Sequence, residues 1–326
     1  MKLASHMSEV EARQAGVMEK QFSTRDISAG ERFDYWHELV YRTYAPCSGR
    51  VSSVSGFNAS LRTQEFGTTE ISDVSSTGIT YERKAFDVRR GPRDDFFVSF
   101  MVSGEGRFEQ NGNSVMHRAG DILLYDSGRP YSYSYDQAYR SILMRIPRPI
   151  ASSRLVDVDR LGGVILSGGS PFGKLLGTLL GEAHNLATSV ESDVLLQLSP
   201  SMLDMIAAAV RQGTGDTAAD GAASRSKIEQ IKRYLNAHMA DSSLTLQQVA
   251  REQNVSVRTL CRLFAETGTT PMGWLQTRRL QAAYSAISER RVRSITDAAL
   301  DFGFNDLSHF GRSFKKEFGV TPKSLL

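Results

Sequence analysis

The sequence predicts an α+β chain of two domains: an antiparallel β-barrel with flanking helices, then an all-α domain carrying two helix-turn-helix units. Three observations carry this. From about Val51 to Ile146, short apolar runs such as FFVSFMVSG, GRFEQNG, GDILLYDSGRP and YRSILMRIP are punctuated by Gly, Asn, Asp and Pro. That is the pattern of many short strands joined by turns, closing into a small barrel or sandwich. After residue 224 the apolar spacing is helical to the end. Between the two regions GTGDTAADGAAS (213–224) has small residues and no apolar face, the composition of a linker.

The totals bound the function class. A chain of 326 residues with 40% hydrophobic and 23% charged residues has the composition of a globular protein, which argues against disordered and membrane classes. No run approaches eighteen apolar residues and no secretory signal opens the chain; MKLASHM (1–7) reads as a cloning scar, with the natural start at Met7. Two cysteines, Cys47 and Cys261, fit a reduced cytoplasm and give no disulfide framework. Charge is unevenly placed. Of 39 Lys+Arg and 36 Asp+Glu, residues 225–326 hold 16 and 9, leaving 23 and 27 elsewhere. A basic C-terminal third on a mildly acidic body points to a polyanion partner for that third.

Taken in order, RFDYWHELVYRTY (32–44) spaces its aromatic and aliphatic residues as an amphipathic helix. The barrel is expected over 20–168. LLGTLLGEAHNLA and LSPSMLDMIAAAVR then return to helical spacing, giving a helical region over 169–212. The all-α domain is expected over 225–326. Within it, LTLQQVAREQNVSVRTLCRLF (244–264) contains two helical runs joined by a short turn. Thr245 and Gln248 have capping-box spacing, and Ser256 can cap the second helix. Leu260 and Phe264 fall on its inner face, leaving Arg258, Thr259, Cys261 and Arg262 outward. The arrangement returns in SITDAALDFGFNDLSHFGRSFKKEFG (294–319), with a Ser294–Asp297 cap, a turn at Gly303, and Phe310 and Phe314 inward. Ser308, Arg312, Lys315 and Lys316 are then outward. PMGWLQTRRLQAAYSAIS (271–288) reads as one helix about 25 Å long, a spacer suited to setting two recognition helices into successive major grooves.

These segments closely resemble the DNA-binding domain of the AraC/XylS family of transcriptional regulators, from about Ile228 to Leu326. The resemblance implies double-stranded promoter DNA as partner, contacted by Arg258, Cys261 and Arg262 and then by Leu307, Ser308 and Arg312. For Cys261 a packing role competes with contact, and for Arg262 a bracing one; Asp306 is expected to cap its helix. RFDYWHELVYRTYAP, GEGRFEQNG, HRAGDILLYDSGRPYSY and the IPR at 146–148 are similar to the cupin-like sensor domain of the same family. That likeness implies an effector-binding barrel, a homodimer formed through helices over 169–212, and, for an activator, contact with RNA polymerase.

The stretch DVSSTGITYERKAFDVRRGPR (73–93) is not explained by that family. Its guanidinium groups can fork onto phosphate or a guanine edge, and its acid, hydroxyl and glycine can complete a guanine-nucleotide site. DVSSTG matches [DN]-x-S-x-x-G, and Arg89 with Arg93 matches R-x-x-x-R; together they resemble the two cyclic di-GMP motifs of PilZ domains. The resemblance implies cyclic di-GMP as effector, bound by Asp73, Ser75, Gly78, Arg83, Arg89, Arg90 and Arg93. The plainer alternative is a solvated basic loop, with Arg83 and Arg90 paired to Glu82, Asp87, Asp94 or Asp95. Two other functions stand beside a cyclic di-GMP regulator: a regulator sensing a small sugar or aromatic acid, and a nucleotide-processing enzyme with a DNA-targeting domain. The second lacks support, since no metal-ligand cluster, nucleophile elbow or phosphate loop is present. His117 stands alone in the barrel region and is expected at the surface or a strand edge, and Cys47 has no partner cysteines.

Overall fold

The computed structural model describes residues 10–14, 17–91, 94–155, 158, 161–214 and 222–326. Contacts divide the chain into two compact units: Met1–Ala151 with Asp157–Gly213, and Ser152–Val156 with Thr214–Leu326. The expected scar at 1–7 lies outside the described residues, as do residues 215–221 of the expected linker. The flanks of that linker are helical, not irregular.

The chain opens with β1 (Val10–Gln14), β2 (Val17–Ser23), α1 (Arg32–Thr43), β3 (Ser48–Arg50), β4 (Ala59–Phe66), β5 (Thr69–Ser76), β6 (Ile79–Arg83) and α2 (Ala85–Arg90). There follow β7 (Phe96–Ser103), β8 (Glu105–Gln110), β9 (Asn113–Arg118), β10 (Ile122–Asp126), β11 (Tyr131–Tyr135), β12 (Tyr139–Ile146), α3 (Arg148–Arg154) and β13 (Val164–Leu166). Two long helices, α4 (Pro171–Ala187) and α5 (Ser192–Thr214), end this part. The sheet region thus begins ten residues before the expected 20. VEARQ, the β1 segment, is short and mostly polar, as an edge strand can be.

One sheet has the order β1-β2-β4-β5-β12-β7-β10-β13 and the other β3-β6-β11-β8-β9, with antiparallel pairing. Alternation sorts the side chains. In β11 Tyr133 and Tyr135 are buried while Ser132 and Ser134 are half-buried, and in β8 Phe108 lies between exposed Arg107 and Glu109. One core joins Leu61, Val74, Phe97 and Leu123 of the larger sheet to Ile79, Tyr81, Phe108 and Tyr133 of the smaller. Trp36, Leu39 and Val40 of α1 complete it, as the helical spacing of 32–44 requires.

α4 lies on the larger sheet: Gln64 of β4 donates to the His184 carbonyl at 2.6 Å. α5 comes so close to the β4–β5 turn that a Cβ on Gly67 would sit 2.6 Å from the Cβ of Ser199; with φ at +63°, that turn takes glycine on both grounds. Among the described residues α5 alone is long and apolar enough to cross a membrane. Leu195, Met202, Leu203 and Ile206 are buried within the unit, so much of that apolarity belongs to a core helix.

The C-terminal unit contains α6 (Ala222–Ala237), α7 (Leu246–Glu252), α8 (Val257–Ala265), α9 (Pro271–Ser288), α10 (Ile295–Asp301), α11 (Leu307–Phe318) and a 3-10 turn, Pro322–Leu325. It has two small cores. Ile231, Leu235, Val249, Leu260 and Phe264 form the first, with Leu275 of α9. Ala298, Phe304, Phe310 and Phe314 form the second, with Leu280, Ala283 and Ile287 of the same helix. α9 is therefore the shared spine, buried on most of its circumference. The Arg279 side chain fixes it to the α6–α7 connection by donating to the carbonyls of Met239 and Asp241 at 2.7 and 2.6 Å.

His117 lies in β9, the edge strand of the smaller sheet and so at one of the two positions expected, but it is fully buried and not at the surface. Its Nε2 donates to the Asp121 carbonyl at 2.9 Å and its Nδ1 accepts from the Tyr133 hydroxyl. Burial lowers its pKa from 6.5 to about 4, and burial also lowers that of His184. The unfolded chain then binds protons that the folded rings refuse, so their contribution to stability is complete above pH 6.5 and is lost as pH falls toward 4. His117 alone accounts for about 3 kcal/mol of that loss. Thermal melts of the native protein between pH 7 and 4 should fall across this window, and His117→Gln should flatten the slope; identical slopes would overturn the assignment.

Candidate ligand cavity and nucleic-acid interface

Between the sheets is a cavity of about 60 Å³. α1 closes one side with Trp36 and Val40, joined by Tyr44 just past its end; β11 and β12 supply Tyr133, Tyr135 and Tyr139. Tyr135 stacks on Tyr139 at a centroid distance of 3.5 Å and on Tyr133 at 4.3 Å, and Phe97 stacks on Tyr125 at 5.0 Å. The Trp36 indole donates to the Tyr81 hydroxyl at 2.7 Å. Ser99 and Ser141 add hydroxyls, and Cys47 a thiol that burial pushes up to about 12. Burial also raises the phenol pKa values of Tyr81, Tyr125, Tyr133 and Tyr135, so these groups are neutral hydrogen-bonding groups at physiological pH. No described lining residue is charged. The wall thus offers ring faces and neutral hydroxyls.

Of the residues expected to hold cyclic di-GMP, Asp73 and Arg83 are buried and already partnered within the fold. DVSSTG is not a phosphate-cradling loop: Asp73, Ser75 and Ser76 lie in β5, and only Thr77 and Gly78 form the turn into β6. Asp73 is buried and accepts from Arg140 (Nε and Nη2, 3.0 and 2.9 Å) and from Arg62 (3.0 Å). Burial alone would raise its pKa; the two arginines outweigh that and hold it below the usual range. Gly78 sits against the chain, where a Cβ would meet the Asp136 carbonyl oxygen at 2.8 Å. Arg83 is 1% exposed and donates to three backbone carbonyls: Ser127 at 2.8 Å, Gly91 at 3.0 Å, and Pro46. Its guanidinium joins three chain segments and is closed to a ligand. Arg89 and Arg90 are exposed at the end of α2, and Arg93 lies outside the described residues. The nearby acids have other partners: Glu82 faces Arg50 and Lys84, Asp94 faces Arg148, and Asp95 faces Arg145.

The C-terminal site residues, by contrast, share two exposed faces. Thr245 and Gln248 form the expected capping box on α7, with Thr245 N–H to Gln248 Oε1 at 2.7 Å. Ser256 caps α8 by accepting from Thr259 N–H at 3.1 Å. Arg258, Cys261 and Arg262 are then exposed together. Cys261 is exposed, not packed as its small size suggested, and Arg262 stands outward. Asp306 caps α11, accepting from the N–H groups of Ser308 and His309 at 2.8 and 2.9 Å. Leu307, Ser308, Arg312, Lys315 and Lys316 are exposed beside it, over buried Phe310 and Phe314. His309, also exposed, was overlooked in the sequence. The tyrosine cavity was overlooked too, although the period-two YSYSY of β11 carried the signal.

Residues 249–326 match a helix-turn-helix domain family, and residues 36–211 match the AraC-binding-like domain family. Over 306 residues the chain is 26% identical to the transcriptional activator NphR of Rhodococcus sp, covering 92% of this chain and 90% of that protein. It is 28% identical over 290 residues to the XylDLEGF operon transcriptional activator 3 of Pseudomonas putida, covering 82% of each. The crystal structure of the AraC-like transcriptional activator CuxR is similar in fold, with a TM-score of 0.53 at 23% identity over 82% of this chain and 96% of that one.

The two classes of arginine separate by stability. Arg83→Leu leaves three carbonyls without their donor and should cost at least about 3 kcal/mol in urea unfolding. Arg89→Ala and Arg90→Ala should stay within about 0.5 kcal/mol. Equal costs would mean that the burial of Arg83 is misassigned.

Proposed function

As this chain belongs to the AraC family of transcriptional regulators, with an AraC-binding-like domain before its helix-turn-helix domain, we propose that it is a transcriptional activator whose effector is a small aromatic molecule held between the two sheets. The observation that carries this is the cavity wall: stacked tyrosine rings, neutral hydroxyls and no charged lining residue among those described. A doubly anionic dinucleotide has less support, because burying its phosphates needs cations that Arg83 and the Asp73-paired arginines have already committed elsewhere. Trp36 lies in the cavity wall and reports occupancy directly. Titration with phenol should quench its emission in a Trp274→Phe background, while cyclic di-GMP should not. Saturable cyclic di-GMP binding that is lost in Arg89→Ala would replace the aromatic reading with the nucleotide one.

DNA recognition rests on the exposed faces of α8 and α11. The Arg and Lys side chains there offer forked and point donors to base edges and phosphates, and both helices are capped so that their N-terminal turns stand free. Reciprocal linkage then requires that an effector which tightens DNA binding is itself bound more tightly by the DNA complex. The exposed stripes Phe172, Leu175 and Leu186 on α4 and Val194, Leu198 and Met205 on α5 support a homodimer through these helices. On DNA selected from a random pool by the native protein, Arg258→Ala or Arg312→Ala should weaken binding by about 1–3 kcal/mol. Leu198→Asp should shift the protein toward monomer in light scattering and weaken binding to a two-half-site fragment. Unchanged affinity in both arginine variants would remove α8 and α11 from the interface.

A further inference from the structure

A second concavity of about 320 Å³ lies where four strand ends meet, at the end of β2, the start of β4, the end of β5 and the start of β12. Its chemistry is opposite to that of the inner cavity. Arg25, Asn58, Ser60, Ser75, Ser76 and Thr77 line it, and no described lining residue is an acid. Ser23, Ser60, Ser75 and Arg140 stand in one register across the four strands. The Ser76 hydroxyl is buried, with the residue 5% exposed, and has no hydrogen-bond partner among the described residues. An orphan of this kind is costly to bury, a cost recovered when a ligand supplies the missing partner.

Tyr139 connects the two spaces, since it lines both the inner cavity and the outer groove. The inner space, about 60 Å³, is smaller than the roughly 150 Å³ that accommodates a benzene ring. An aromatic effector therefore needs a lining side chain to yield, and Tyr139 borders the open groove on its other side. Charge then decides which end of a ligand goes where. The inner wall offers an anion no cation, whereas the groove offers Arg25 and several hydroxyls with no acid opposing them. A carboxylate left in the inner cavity would lose its hydration for neutral phenols alone.

We propose that the groove is the second subsite of the effector site, taking the carboxylate end of an aromatic acid whose ring occupies the inner cavity, with Tyr139 displaced between them. This rests on the aromatic-effector reading and adds the chemical class: a ring joined by a short chain to an oxyanion. Arg25 supplies the charge, and Ser76 supplies a hydroxyl that has no other use.

The experiment compares phenol, 3-phenylpropionate and 3-phenylpropanamide by Trp36 emission in the Trp274→Phe background. Native protein should bind the propionate about ten-fold more tightly than the amide, the scale of one charge-assisted contact. Arg25→Gln should abolish that difference and leave phenol unchanged. Ser76→Ala should weaken both chain-bearing probes several-fold, again sparing phenol, without lowering the melting temperature, because the hydroxyl it removes has no partner in the free protein. If phenol binds but the two longer probes respond to neither substitution, the groove is not a subsite and the aromatic reading stands alone. If no probe binds, the aromatic reading itself falls, and the subsite with it.

Discussion

Between the two sheets, the rings of Tyr133, Tyr135 and Tyr139 stack at centroid distances of 4.3 and 3.5 Å, and the architecture of the N-terminal unit follows from where those rings can go. Tyr133 and Tyr135 alternate with serines along β11, so the strand period turns their rings inward and the serines the other way. Large rings with polar tips fill a core differently from aliphatic side chains. They must stack or meet edge to face, and each hydroxyl needs a partner. The Trp36 indole meets the Tyr81 hydroxyl, and His117 meets that of Tyr133. What remains between these constrained rings is a neutral cavity with hydroxyls at its wall. The same interaction that joins the sheets therefore also defines what the protein can hold.

Charge follows the complementary rule. A guanidinium cannot be buried without acceptors for its donors, and Arg83 has three carbonyls from three different segments. Asp73 is buried on the same terms, held between Arg62 and Arg140 from the neighbouring strands β4 and β12. Both residues belong to the stretch richest in apparent ligand-binding signals, yet both are committed to the fold. At least one member of that dense run of arginines, Arg83, is thus an internal structural group and not a surface cation.

The C-terminal unit is built by a simpler logic. Each helix-turn-helix is too small to bury a core alone, and α9 gives Leu275 to one and Leu280, Ala283 and Ile287 to the other. A continuous helix serving two cores makes the recognition helices parts of one rigid body. Side-chain caps at Thr245, Ser256, Ser294 and Asp306 begin the paired helices at fixed positions. The apolar positions beneath then force the basic ones outward.

Local chemistry explains what could be read without coordinates. The caps, the inward Leu260, Phe264, Phe310 and Phe314, and the outward Arg258, Arg262 and Arg312 all depend on helical period and on neighbours within four residues, and all appear as the spacing implied. The strands over 51–146 were equally legible, because period-two alternation and turn residues are local. The effector site was not. Whether Arg83 faces solvent depends on carbonyls at Pro46 and Ser127, distant in sequence, as well as on nearby Gly91, and whether Asp73 is free depends on Arg140, sixty-seven residues away. Cys261 shows the same limit in reverse, exposed where its size suggested packing. The sequence by itself determined the two-part architecture and the exposed basic faces of α8 and α11, since helix period and capping act over a few residues. Only the tertiary structure decided which polar groups were already satisfied and what space the tyrosines left, because desolvation is set by partners that pairing of distant strands brings together.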